Sequence, residues 1–263
     1  MIAKKIHYVW VGNKQKPELV LKCIESWKKY CPDYEIIEWN NDSLKNIRNQ
    51  YVQEAYEEEK WAFVSDYLRL YAIKTQGGFY CDADLEITNS LDEFLDLDFI
   101  TGYENYKGNI APVTALMGAS KNNKVITDLL KEYDDIHFRT PEGLDQTTNV
   151  VRITNYFKKQ YSFQEPYDEK LKVELEKGVV IFPSHYFCKE VDNKKNYSIH
   201  HFNGSWLDTY KRKLIFAIGN YSLIKFKKVK NREEDLPIKK AEKILFKTPL
   251  CFKRVFVMIK ADY

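Results

Sequence analysis

One stretch limits what this chain can become: a mostly apolar helical run from Trp61 to Thr75, then Gln76-Gly77-Gly78, then Phe79-Tyr80-Cys81-Asp82-Ala83-Asp84. Glycine tolerates the left-handed position just past a helix end, so the two glycines mark where the helix stops. The apolar, aromatic run after them has the character of a buried strand. It ends in two carboxylates one residue apart. Side chains alternate faces along an extended chain, so Asp82 and Asp84 are expected to point the same way. Two hard oxygen donors at the end of an interior strand suit a divalent cation that holds phosphates. A D-x-D alone is usually only a polar strand end or turn, so its surroundings must carry the argument.

Those surroundings read as an α/β sheet. Lys5-Ile6-His7-Tyr8-Val9-Trp10-Val11 is rich in β-branched and aromatic residues and ends at Gly12-Asn13. Pro17 opens a helical pattern to Tyr30, with Leu19, Cys23, Ile24 and Trp27 on one face. Cys31-Pro32-Asp33 breaks it, and Tyr34 to Trp39 reads as a second strand. A crossover of this size makes a parallel strand–helix–strand unit. Residues 42–59 look like a polar, acidic surface helix, with Glu57-Glu58-Glu59 solvated. Leu85 to Ile87, Asp98 to Tyr103, Thr114 to Gly118 and Val179 to Phe182 read as further strands, the last stopped by Pro183. Asn122 to Tyr133 reads as a helix capped by Asn122, and Leu144 to Tyr156 as another.

Composition narrows the function classes. A chain of 263 residues with 44% apolar content can bury a sizeable core and is globular. Nineteen Tyr and five Trp suit stacking on sugars and bases, and equally suit core filling. The net charge of +3 is too weak to argue for nucleic acid. It hides an asymmetry, because residues 211–263 hold fifteen Lys/Arg against five Asp/Glu. The five cysteines are scattered without metal-finger or C-x-x-C spacing. Met1 to Lys5 lacks an apolar signal core and no run of about eighteen apolar residues occurs, so a soluble protein of a reducing compartment is expected.

Three further groups of residues draw notice. Asp66 and Arg69 are three apart on one helical face, as either a surface ion pair or a carboxylate and guanidinium for sugar and phosphate oxygens. Asp145-Gln146 near a helix start either caps it or faces a cleft. His200-His201 lies on a strand running into Phe202-Asn203-Gly204-Ser205-Trp206; adjacent strand residues point apart, so one imidazole at most enters a given site. From Leu207 the chain reads as helical and basic. Ala241 to Ile259, interrupted by Pro249, interleaves apolar residues with lysines and Arg254, which fits an anionic membrane surface, a cap on the domain or a partner contact.

With these residues in hand, the chain resembles the DXD-containing sugar transferases of glycosyltransferase family 32, and more distantly the glucosylating domain of large bacterial toxins. The matching segments are Lys5 to Gly12, Ala62 to Leu70, Gly77 to Asp84 and His200 to Trp206, in that order. The resemblance implies a GT-A type nucleotide-sugar fold over residues 1–210, followed by a basic helical segment over 211–263. Trp10 would stack on the base beside Val9, and Asp66 and Arg69 would hold the donor sugar. Asp82 would serve ribose, sugar or metal, while Asp84 and His201 would ligate Mn²⁺ or Mg²⁺. Ser205 and Trp206 would contact the diphosphate, and Asp145-Gln146 is the weaker match near the reacting sugar. The activity implied is retaining transfer of a hexose or N-acetylhexosamine from a UDP-sugar, or next a GDP-sugar, to a saccharide or glycolipid acceptor of surface polysaccharide synthesis. The place implied is the cytoplasm or the inner face of the cell membrane. A non-catalytic sugar-nucleotide module or an assembly scaffold is the competing reading.

Overall fold

The structure, a computed structural model, describes residues 1–203, 210–228, 242–249 and 254–261. Its elements in order are β1 (Lys5–Val9), α1 (Glu18–Tyr30), β2 (Glu35–Trp39), α2 (Gln50–Glu57), α3 (Trp61–Gln76), β3 (Gly78–Cys81), β4 (Leu85–Ile87), β5 (Phe99–Gly102), β6 (Glu104–Tyr106), β7 (Asn109–Ala111) and β8 (Leu116–Ala119). Then come α4 (Lys124–Lys131), β9 (Arg139–Thr140), β10 (Gly143–Leu144), α5 (Asn149–Tyr161), β11 (Val173–Glu176), β12 (Val179–Phe182), α6 (Ser184–Phe187) and β13 (Ser198–His200). The strands β14 (Tyr210–Ile218), β15 (Tyr221–Lys228), β16 (Glu242–Lys247) and β17 (Arg254–Ala261) complete the chain. Residues Met1–Asn203 form one unit and Gly204–Tyr263 a second.

The first unit is the expected mixed α/β fold. Its main sheet runs β11-β12-β5-β8-β3-β1-β2, with β1–β2, β1–β3 and β5–β12 parallel and β8 and β11 reversed. Alternation along the strands feeds a core on each face. Val9, Tyr80, Phe99, Met117 and Ile181 face α2 to α5, while Ile6, Tyr8, Phe79, Ile100 and Phe182 face α1 and α6. The chain leaves β1 for β2 on one side, then returns as β3 on the other. The gap beyond the carboxyl ends of β1 and β3 is therefore the switch point where open α/β sheets place ligands. Val9 and Asp82 each stand two residues past the last paired positions, His7 and Tyr80.

Two backbone devices aim β3 at that gap. Gly77 and Gly78 both have positive φ, +68° and +105°, and a Cβ on Gly78 would sit 2.8 Å from the Lys5 carbonyl oxygen. Beside them His7 is fully buried: its Nε2 donates to the Gly77 carbonyl at 2.8 Å, and Trp39 Nε1 donates to its Nδ1 at 3.1 Å. This neutral ring ties β1, β2 and the α3–β3 turn together, and burial pushes it down to about 4.

Several sequence expectations are corrected. Residues 42–59 are not one surface helix: a 3-10 turn precedes α2, whose Tyr51, Val52 and Ala55 are core residues packed under α3. The helix after residue 144 begins only at Asn149, and Asn123 rather than Asn122 caps α4, its side chain accepting from Ile126 N. Most plainly, the described residues of the basic C-terminal segment are not helical. Its described residues form an antiparallel sheet, β14-β15-β17-β16. Val255, Val257 and Ile259 alternate with Phe256 and Met258, and a period of two buries one face of a sheet, not of a helix. Among the described residues no helix is long and apolar enough to cross a membrane.

Two outcomes follow. Gly78→Ala should cost roughly 2–4 kcal/mol in chemical denaturation, from left-handed strain plus the Lys5 clash. His7 has a folded value below its unfolded one, so the unfolded chain binds the extra proton and stability is lost as pH falls from about 6.5 towards 4. Between pH 7 and pH 5 the native chain should therefore lose about 2 kcal/mol more than a His7→Asn variant, at about 1.4 kcal/mol per pH unit.

Candidate active site

The carboxyl end of β3 gathers charge. Arg69, on α3, places its guanidinium 3.2 Å from Asp66 Oδ1 and 3.1 Å from Asp82 Oδ1, with its Cζ 4.5 Å from the centre of the Tyr80 ring. Tyr80 donates to Asp82 Oδ1 at 2.9 Å, and its hydroxyl lies 2.9 Å from Ser65 Oγ. Asp66 Oδ2 accepts the Asn149 N–H at 3.0 Å, which satisfies a first-turn donor of α5 from another helix. The Asp66–Arg69 pair is thus no surface pair, with side chains only 10% and 12% exposed. Burial raises the Asp66 carboxyl to about 6 although Arg69 opposes it, and Arg69 stays charged because Asp82, Tyr80 and Asp66 outweigh its desolvation.

Asp82 and Asp84 converge by a different route from the one expected. Residues 82–84 are not extended; Leu85 N donates to Asp82 O at 2.9 Å, closing a turn before β4 begins. β4 then pairs antiparallel with β13, matching Ile199 to Glu86 and His200 to Leu85. That register decides between the two histidines. His201 lies on the Ile199 side and its Nε2 is 2.9 Å from Glu86 Oε2, which also meets Lys22. His200, not His201, is the imidazole that joins Asp82 and Asp84, with one ligand atom of each of the three within 4.8 Å of the others. The structure sets His201, expected as the ligand, apart from this group, because alternation along β13 is counted from the β4 register, which residues 200–206 alone do not contain.

The donor set fits a divalent cation. His200 Nε2 is 3.6 Å from Asp84 Oδ1 and its Nδ1 is 3.2 Å from Glu104 Oε2, yet Nδ1 has no aligned hydrogen bond among the described residues. Burial alone would lower His200, but the Asp84, Glu104 and Asp82 carboxylates raise it to about 10. Burial would likewise raise Asp84, but His200 and the Asn203 N–H, donating to Oδ2 at 2.7 Å, hold it low. Three carboxylates around one imidazole leave an excess of negative charge that two carboxylate oxygens and one nitrogen can hand to a hard or borderline cation. Glu104 lies on the Nδ1 side of the ring, away from Asp84 on the Nε2 side.

The remaining predicted residues are placed unequally. Val9 is buried at the end of β1, and Trp10 beyond it is half-buried, its Nε1 donating to Lys14 O at 2.9 Å. Asp145 is held by Arg152 and by Thr147 N, and Arg152 lies over Tyr133 and Tyr51 at 5.0 and 5.6 Å. Gln146 beside it is exposed. Ser205 and Trp206 lie outside the described residues. The sequence reading admitted one imidazole of His200 and His201 and took His201, and it gave no role to Glu104, Arg152 or Tyr80. Only Tyr80 had a local signal, being two residues before Asp82 in the same strand. Phe202 adds one more: it takes a left-handed φ of +47° and stacks 4.0 Å from the His200 ring and 5.0 Å from Tyr106, so the β6–β7 hairpin borders the site.

The two histidines give a direct test. His200→Asn should weaken Mn²⁺ binding at least tenfold by calorimetry, whereas His201→Asn should leave it within about twofold. The reverse order would move the site to the Glu86 side.

Parts of the chain are similar to known proteins. Residues 17–100 match the family described as the glycosyltransferase sugar-binding region containing DXD motif. An uncharacterized glycosyltransferase of Acanthamoeba polyphaga mimivirus is 28% identical over 138 residues, half of this chain and 55% of that protein. Subversion of eukaryotic traffic protein A of Legionella pneumophila is 24% identical over 160 residues, 49% of this chain and 24% of that protein. This chain therefore spans only about half, or a quarter, of these relatives' lengths. Among solved structures, the PaToxG glycosyltransferase shares 21% identity with a TM-score of 0.48, covering 61% of this chain and 70% of that one. The similarity to the glycosyltransferase sugar-binding region containing DXD motif is thus carried by residues 17–100 of this chain.

Proposed function

We propose that the protein is a metal-dependent, retaining glycosyltransferase that moves a hexose or N-acetylhexosamine from a UDP-sugar to a saccharide or glycolipid acceptor. GDP-mannose is the next donor class. The observation that carries this reading is the meeting of Asp82, Asp84 and His200 with Arg69 at the carboxyl ends of β1 and β3. A switch-point crevice with a cation site and a buried guanidinium is suited to a nucleoside diphosphate and the sugar it carries.

The chemistry follows from what departs. A nucleoside diphosphate leaving an anomeric carbon carries away negative charge, and groups already oriented towards that charge lower the barrier most. When bound at Asp84 and His200, Mn²⁺ or Mg²⁺ supplies Lewis acidity and a template for the two phosphates. Arg69 adds a fixed positive charge beside Asp82, and its Nε is a buried donor with no partner among the described residues. In this reading Trp10, just past β1, would stack on the base, and Asp66 on α3 with Asp145 before α5 would hold the sugar. Double displacement would need a carboxylate poised on the far face of the sugar. Asp66 and Asp145 are each already engaged by an arginine, which supports front-face substitution with the leaving phosphate as base. Attachment of the product to surface polysaccharide or glycolipid is part of the same proposal.

Incubation with a panel of UDP- and GDP-sugars and Mn²⁺ should release nucleotide from one donor, and EDTA should abolish the release. Asp84→Asn should lower turnover by at least about a hundredfold while the thermal transition stays in place. Donor binding without turnover, with every acceptor class offered, would replace the transferase by a sugar-nucleotide binding module.

A further inference from the structure

The second unit carries a surface that the transferase reading does not use. In the sheet β14-β15-β17-β16, Ile224, Phe226, Val255, Val257 and Ile259 turn to one face and are buried. The register places the other face in rows across the strands. Phe216, Leu223, Met258 and Phe246 form one apolar row spanning all four strands. Phe216 and Phe246 are 45% and 62% exposed, so this row meets solvent. On one side of it the next row holds Ile218, Tyr221, Lys260 and Lys243. On the other side stand Lys213, Lys225 and Phe256, then Lys227 with Arg254. Among the described side chains of this face there is no carboxylate.

An exposed apolar band of this kind on a soluble domain marks an interaction surface. Charge decides which one. Lysines stand at both ends of the band, so stacking on a second copy of the chain would set lysine against lysine. A bilayer with anionic headgroups offers the complement of both features, apolar chains below and negative charge at the level where long basic side chains reach. We infer that this face is a docking surface for an anionic lipid bilayer, lying flat on it with the Phe216–Phe246 row against the acyl boundary and the lysine rows among the headgroups. The inference is independent of the transferase reading, because none of these residues belongs to the site at β3. It keeps the membrane expectation for this segment and replaces its basis, an amphipathic helix, by the face of a sheet.

The full chain should float with phosphatidylcholine–phosphatidylserine vesicles and not with phosphatidylcholine alone, and the binding should fall as salt rises. Lys225→Gln with Lys227→Gln should weaken the partition about 25-fold, or about fivefold per lysine. Phe216→Ser with Phe246→Ser should weaken it on the same vesicles. All four positions are on the solvent side, so circular dichroism and the thermal transition should not change, and Asp84→Asn should bind vesicles like the native chain. No flotation with the anionic vesicles overturns the inference. So does flotation that both pairs leave untouched, or a concentration-dependent dimer that the phenylalanine pair abolishes.

Discussion

A single buried guanidinium holds the site together. Arg69 touches Asp66, Asp82 and the face of Tyr80, and Asp66 in turn accepts the first-turn N–H of α5. Removing one partner of a buried ion pair leaves an uncompensated charge and costs about 3–5 kcal/mol. The mutual dependence of these groups therefore locks α3, β3 and α5 in one arrangement. It also explains how two aspartates survive in a region otherwise packed with Phe63, Leu70, Ile73 and Tyr133. In the proposed function the same guanidinium is the fixed positive charge beside a departing diphosphate.

Charge balance differs a few residues further on. Around His200, among the described residues, the carboxylates of Asp82, Asp84 and Glu104 outnumber the cations, and the imidazole has no aligned partner at Nδ1. One half of the site is thus neutralised by Arg69, while the other half keeps an excess of carboxylates. Both halves share Asp82, which accepts from Tyr80 and pairs with Arg69 while lying within reach of Asp84 and His200. Asp82 is therefore the group through which the Arg69 half and the His200 half of the site are joined.

Much of this was legible in the residues. The alternating elements of residues 5–39, the Gly77-Gly78 stop and the carboxylates after Tyr80 all report local chemistry: turn conformations, strand patterning and hard oxygen ligands. Asp66 and Arg69 were legible as a pair because helical spacing puts them on one face, although their burial was not. Three things were not legible, each for a physical reason. The turn at 82–84 depends on Leu85 bonding back to Asp82, a contact that residue types alone do not announce. The choice of His200 over His201 depends on the β4–β13 register, a pairing across more than a hundred residues. The strands at 210–261 were mistaken for helix because lysines interleaved with apolar residues suit either period, and the buried Val255, Val257 and Ile259 resolve the choice only once β15 and β16 flank them.

By itself, then, the sequence determined the class of fold, the place where a helix must stop and a strand begin, and the oxygen-rich chemistry at that strand's end. These are properties of neighbours along the chain, set by allowed backbone angles and side-chain spacing. Tertiary structure decided which donors meet. It turned Asp84 back towards Asp82, brought His200 across from β13, set Arg152 against Asp145, and spread the C-terminal basic residues over the face of a sheet. Those outcomes depend on strand register and on charges that must be paired when buried, and both are settled only when distant segments pack.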